Sequence, residues 1–160
     1  MKRFIAIAAL LATGAVHAAG TVQVSFTDPE KFADVRDRAN RVEDNVKALE
    51  RVVADAARPY VADGQTLKIE VLDVDLAGEI RPGARAGELR VLRGRADWPR
   101  ITLRWSLEGA GATRSGQAVV QDMNYLMRPP TPQYDGQLAY ERRMLDDWFR
   151  EQFGKAAGAS

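Results

Sequence analysis

Asp73 and Asp75 stand two residues apart in Leu72-Asp-Val-Asp-Leu-Ala-Gly-Glu79. On a β-strand that spacing sends both carboxylates to the same side. With Glu79 close behind, and Asp122 expected to approach from a neighbouring strand, they are the densest acidic set in the chain. They are the candidates for a divalent metal, because hard cations such as calcium take oxygen ligands. The spacing is not that of an EF-hand loop. Carboxylate-based hydrolysis of a glycoside would need two of these groups about 5–10 Å apart, a separation only the folded chain sets. The plain alternative is that these acids cap loops or pair with arginines.

The second chemical feature is basic. Arg81, Arg85, Arg90, Arg93, Arg95, Arg100 and Arg104 face only Glu88 and Asp97 in the same window, an excess of five positive charges. Clustered arginines neutralise anionic partners. Of these, Arg90, Arg93 and Arg95, with Trp98 before Pro99, form the candidate binding surface. The competing reading is that they decorate a loop and a solvated strand face. Trp105 and Trp148 fit core positions instead.

What the chain lacks narrows the chemistry further. Lys2 and Arg3 precede an uncharged run from Phe4 to Val16, and Val16-His17-Ala18 ends it in the small-residue pattern of a signal-peptidase site. The run is too short for a spanning helix, which needs roughly 20 apolar residues. Residues 1–18 are therefore expected to be a cleaved signal peptide, residues 19–154 a single domain, and residues 155–160 a frayed tail. Ala19 rather than cysteine follows the expected cut, which excludes a lipid anchor, and no second apolar span follows. The expected location is the periplasm. The only histidine is His17, and there is no cysteine. The mature chain would then be without Ser-His-Asp and Cys-His nucleophile systems, imidazole or thiolate zinc sites, histidine-ligated haem and thiol redox chemistry. No cofactor is implied.

The elements that would position these residues follow from periodicity. Val22, Val24 and Phe26 alternate as a half-buried strand. Thr27-Asp28-Pro29-Glu30 then signals a helix start, with Asp28 as N-cap or Thr27 and Glu30 as a capping box. Phe32, Val35, Ala39, Val42, Val46, Leu49, Val53, Ala56 and Tyr60 recur at steps of 3 and 4, predicting a long helix with a break near Asn40. Asp34–Arg38, Asp37–Arg41 and Glu43–Lys47 would be i,i+4 pairs on its solvated side, each worth about 0.2–0.5 kcal/mol. Leu67 to Leu76 reads as a strand whose alternation changes phase, which predicts a bulge near residues 71 and 72. Glu88 to Arg93 is a short strand. Ile101, Leu103, Trp105 and Leu107 alternate cleanly, and Ser115 to Tyr125 is the hairpin partner across Gly109-Ala-Gly111. After the proline-rich Arg128–Gln133 loop, Gln137 to Phe153 is a final helix with Leu138, Met144, Leu145, Trp148, Phe149 and Phe153 available for burial. The order predicts an α+β fold, a two-layer sandwich. One mostly antiparallel or mixed sheet of four or five strands would be packed by a long N-terminal helix and a C-terminal helix.

Several blocks together carry a resemblance. Val24-Ser-Phe-Thr-Asp-Pro-Glu30, Leu72-Asp-Val-Asp-Leu-Ala-Gly-Glu79, Trp98-Pro-Arg-Ile101, Asp122-Met-Asn-Tyr-Leu126 and Tyr140-Glu-Arg-Arg-Met-Leu-Asp-Asp-Trp-Phe149 are similar to the successive blocks of a secreted proteobacterial family known as domain of unknown function 3016. The resemblance spans nearly the whole mature chain. It implies a Gram-negative periplasmic setting and one shared architecture, and it transfers no activity.

Three functions fit these readings. The first is a non-enzymatic envelope module that binds a protein or an anionic surface component; export argues against nucleic acid. The second is a carboxylate-based hydrolase or divalent-metal-binding protein using Asp73, Asp75, Glu79 and Asp122. The third is a structural or stress-related periplasmic protein.

Overall fold

The computed structural model describes residues 19–35, 42–82, 88–109, 111, 113–134, 136 and 138–154. The expected signal peptide, the expected break near Asn40, Arg85 and the tail lie outside them. Six strands and two helices follow in the order β1 (Thr21–Phe26), α1 (Val42–Ala57), β2 (Thr66–Asp75), β3 (Glu79–Pro82), β4 (Glu88–Val91), β5 (Arg100–Glu108), β6 (Arg114–Gln121) and α2 (Ala139–Phe153). A four-stranded sheet has the order β1-β2-β5-β6, and β3 and β4 form a separate two-stranded sheet. The fold is α+β. β1 lies parallel to β2, and the other neighbours are antiparallel, so the main sheet is mixed. A parallel pair needs a crossover between its strands, and α1 lies in that connection.

Alternation decides which face of the sheet is buried. Leu67, Ile69 and Val71 of β2 lie opposite Leu107, Trp105 and Leu103 of β5, and all of them are buried. The register then shifts between Val71 and Asp73, which puts Val74 opposite Ile101 and returns the core face to phase. The bulge expected from the change of alternation is thus present. Leu49, Val52, Val53 and Ala56 of α1 and Met144, Leu145, Phe149 and Phe153 of α2 belong to the same core cluster as these strand residues. Trp105 meets the Phe153 ring edge-on at 5.0 Å, and half-buried Trp148 packs on Phe149 at 4.8 Å. Burying an aromatic or leucine side chain of this kind contributes about 1.5–3 kcal/mol.

The N-terminal helix is shorter than its periodicity predicts. Thr27-Asp28-Pro29-Glu30 leads only into a single 3-10 turn, Pro29–Lys31, with Asp28 in the left-handed region and no side-chain cap. Asp34 then forms a parallel bridge to Asp75, donating its N–H to the Val74 carbonyl and accepting from the Leu76 N–H. Asp34 is therefore bridged to β2 and not helical, and the expected partners Arg38, Asp37 and Arg41 lie outside the described residues. Phe32 and Val35 still reach the core from an extended chain: Val35 is buried and Phe32 packs on Phe26. Burial, not helicity, explains their spacing. Asn45, on the buried side of α1, donates to the Val35 carbonyl at 2.8 Å and ties the two segments together.

Smaller differences follow the same logic. β6 ends at Gln121, before the expected Tyr125, because Tyr125 turns into a 3-10 helix, Tyr125–Met127, and is itself fully buried. β3 was not legible as a strand in Glu79-Ile-Arg-Pro82, yet it pairs with β4 along its whole length. No helix of the described residues is long and apolar enough to cross a membrane.

Candidate functional site

The acidic candidates are individually engaged, and the fold sets Asp122 apart from Asp73 and Asp75. Asp73 accepts from the Ala33 N–H at 2.9 Å, and Asp75 accepts from Arg100 at 3.1 Å. Glu79 pairs with Arg81 across one residue. Asp122 follows β6, and β5 stands between that strand and β2, so Asp122 does not meet Asp73 or Asp75 across neighbouring strands. Its carboxylate accepts from buried Arg143 at 2.9 Å and from the Asn124 N–H at 3.1 Å. Among the described residues no group of three or more such side chains is placed to hold a metal ion. Burial pushes the Asp75 carboxyl above its usual range; Arg100 opposes that shift, and the nearby carboxylates of Asp34 and Asp73 add to it.

Sequence reasoning missed a tie at this end of the sheet. Arg90 grips Asp34 with both terminal nitrogens, at 2.8 and 3.2 Å, and also donates to the carbonyls of Ala77 (3.3 Å) and Gly78 (3.0 Å). Glu141, buried in the first turn of α2, accepts from the Ala77 N–H at 2.8 Å. Burial raises the Glu141 carboxyl well above the ordinary glutamate range; the Ala77 N–H, its own N–H and Arg90 pull against that, and Asp34 adds to it. The Asp75-Leu-Ala-Gly78 block and the Tyr140-Glu-Arg-Arg143 block therefore meet in space. A charged residue on an otherwise amphipathic helix carries no periodic signal of burial, so only those blocks marked them.

The arginine-rich run divides sharply. Arg81, Arg90, Arg100 and Arg104 pair with Glu79, Asp34, Asp75 and Glu70. Arg90, expected on the binding surface, is thus committed to Asp34 with its side chain 21% exposed. Arg93 and Arg95 differ. Their backbone N–H groups donate to the Asp97 carboxylate at 2.6 and 2.8 Å, while their side chains are exposed and form no ion pair with a described residue. Asp97 is buried, which alone would raise its pKa. The two backbone N–H groups and the Tyr125 hydroxyl outweigh that and hold the carboxyl below its usual range. The Gly94 N–H donates to the Tyr125 oxygen at 3.2 Å. Gly94 has φ 66°, and a side chain there would come within 2.8 Å of Leu126. The turn is consequently clamped from inside while its two guanidinium groups face water.

Leu126 lies against that turn at Gly94. Among the described residues the exposed large hydrophobics are Leu92, Val119, Met123, Leu126 and Met127, the last 81% exposed. They come from only two segments, 92 and 119–127, which Gly94, Tyr125 and Leu126 hold against each other. Trp98 is half-buried beside buried Pro99, whose carbonyl accepts from the Asp122 N–H at 3.3 Å.

The opposite face of the main sheet holds an open trough of about 700 Å³ lined by Gln23, Ser25, Lys68, Glu70, Arg104 and Gln117 among others. Two of its cations are in exposed ion pairs, Arg104 with Glu70 and Lys68 with Glu108, each at 2.8 Å. Such pairs contribute about 0–1 kcal/mol each. No histidine is present among the described residues to activate its serines.

A family model described as "Protein of unknown function (DUF3016)" matches residues 20–151. No curated protein matches the chain. A solved structure titled "Crystal structure of uncharacterized protein" is similar at 15% identity, over 92% of this chain and 86% of that one, with a TM-score of 0.34.

Proposed function

The chain belongs to the DUF3016 family, and on that premise we propose that it is an exported, non-enzymatic envelope module that binds an anionic partner. In this reading residues 1–18 are removed on export, residues 19–154 act as one periplasmic domain, and both helices layer on one face of the sheet as a two-layer sandwich. The observation that carries the proposal is the division of the arginine run. The other described arginines of that run are paired within the molecule, whereas Arg93 and Arg95 present guanidinium groups that form no ion pair with a described residue from a turn that Asp97 and Tyr125 hold in place. The backbone that carries these groups is preorganised, so binding has only their side chains left to order. The carboxylates proposed for catalysis or metal binding are each engaged by an arginine or a backbone N–H, which favours binding over hydrolysis.

The test is a crosslinking pull-down from the native envelope with the wild type and an Arg93→Glu/Arg95→Glu variant. Loss of the captured component in the variant is expected. An unchanged capture profile overturns the proposal.

A further inference from the structure

We propose that the partner of this surface is an anionic phospholipid bilayer, docked through Arg93 and Arg95 with Leu126 and Met127 entering the headgroup region; the inference rests on the binding reading above. Three observations carry it. Leu126 packs at Gly94, between the two arginines, Met127 follows it and Leu92 directly precedes Arg93, so three of the five exposed large hydrophobics of the described residues belong to the two stretches that meet at this turn. Isolated exposed apolar residues are ordinary, but a local collection rimmed by charge marks an interaction site.

The second observation is their shape. Met127 is 81% exposed and Met123 56% exposed, so these side chains stand out from the surface. A projecting, unbranched side chain suits a deformable apolar medium, where no matching pocket is required. The 3-10 turn Tyr125–Met127 is anchored at its base by fully buried Tyr125, so its tip is held outward.

The third observation is charge. The acids of these two segments, Asp97 and Asp122, are 7% and 9% exposed and already accept internal hydrogen bonds, while Arg128, next to Met127, is 59% exposed but pairs with Asp122 and Asp147; Arg93 and Arg95 are the exposed cations of these segments that form no ion pair with a described residue. Basic side chains above a shallow apolar insertion are the arrangement that anionic headgroups attract, each contributing on the order of 1 kcal/mol near a charged surface.

The experiment is vesicle co-sedimentation of the chain from residue 19 onward, with phosphatidylglycerol mixed into phosphatidylcholine against phosphatidylcholine alone. Binding is expected only to the anionic vesicles, and is expected to fall as salt rises. Arg93→Glu/Arg95→Glu should weaken it at least roughly tenfold. Met127→Ser should weaken it at unchanged salt dependence, since the charges remain. Reversal of Lys47 and Arg58, equally basic and exposed but on α1 and the turn after it, should leave it intact. Equal binding to neutral vesicles, or full binding by the Arg93/Arg95 variant, overturns the inference. If the wild type ignores vesicles but the pull-down still captures a protein in an Arg93- and Arg95-dependent way, the lipid inference fails and the binding reading stands. If the double reversal changes neither experiment, both fail.

Discussion

Arg90 closes β4 with both terminal nitrogens on Asp34 and further bonds to two carbonyls, whereas Arg93, three residues later, gives only its backbone N–H to Asp97 and leaves its guanidinium in solvent. The two regions they represent are built from the same residue types. Around Arg90, Asp34, Asp75, Arg100 and Glu141 neutralise or bind one another and join the end of the sheet to the start of α2. In the turn after it, the acid is inside and the bases are outside. Placement of the carboxylate therefore decides whether an arginine holds the fold or faces solvent. A carboxylate that backbone N–H groups already satisfy has no need of a guanidinium.

Four variants test that distinction. The largest loss is expected from Arg143→Ala, which takes from buried Asp122 its buried cation, leaving it the Asn124 N–H and exposed Arg128, and removes a bond to the Tyr125 carbonyl; breaking such a pair costs about 3–5 kcal/mol, read as a fall in the urea midpoint. Arg90→Ala should cost less, about 2–3 kcal/mol, because Asp34 keeps 24% exposure and partial access to water. Equal or negligible losses at both positions would remove the claim that these arginines hold the fold.

Glu141 gives a pH-dependent contrast. Its carboxyl is raised by burial, so the folded state binds the proton more readily than the unfolded chain, and stability must rise as pH falls from above the folded value towards the ordinary glutamate range. Asp75 shifts in the same direction, while Asp97 shifts oppositely and loses its contribution as pH falls through its lowered folded value. Glu141→Gln should flatten the rise in stability expected as pH falls towards the ordinary glutamate range, read by chemical denaturation at a series of pH values. An identical pH profile in the variant would rule out Glu141 as its source. The smallest effect on stability, within about 0.5 kcal/mol, is expected for Arg93→Glu/Arg95→Glu, since both side chains are exposed and make no ion pair with a described residue. A thermal midpoint several degrees lower would mean that these arginines also serve the fold.

Periodicity located β5, the bulge in β2 and α2 because each buries a regular set of apolar side chains: Ile101 to Leu107, Leu67 to Val74, and Met144 to Phe153. It failed at residues 32–35, where an extended segment buries Val35 at a spacing that also suits a helix. At the candidate site the arginine run was visible as composition. The separation of Arg90 from Arg93, and of Asp73 and Asp75 from Asp122, was not.

Sequence alone thus determined the α+β class, the core face of the central strands and a supply of arginines with neither cysteine nor any histidine beyond His17, because these depend on residue type and local spacing. Which arginine faces a carboxylate and which faces water was left to the tertiary structure. That choice depends on distances between segments as remote as Asp34 and Arg90, or Ala77 and Glu141, which no local pattern encodes.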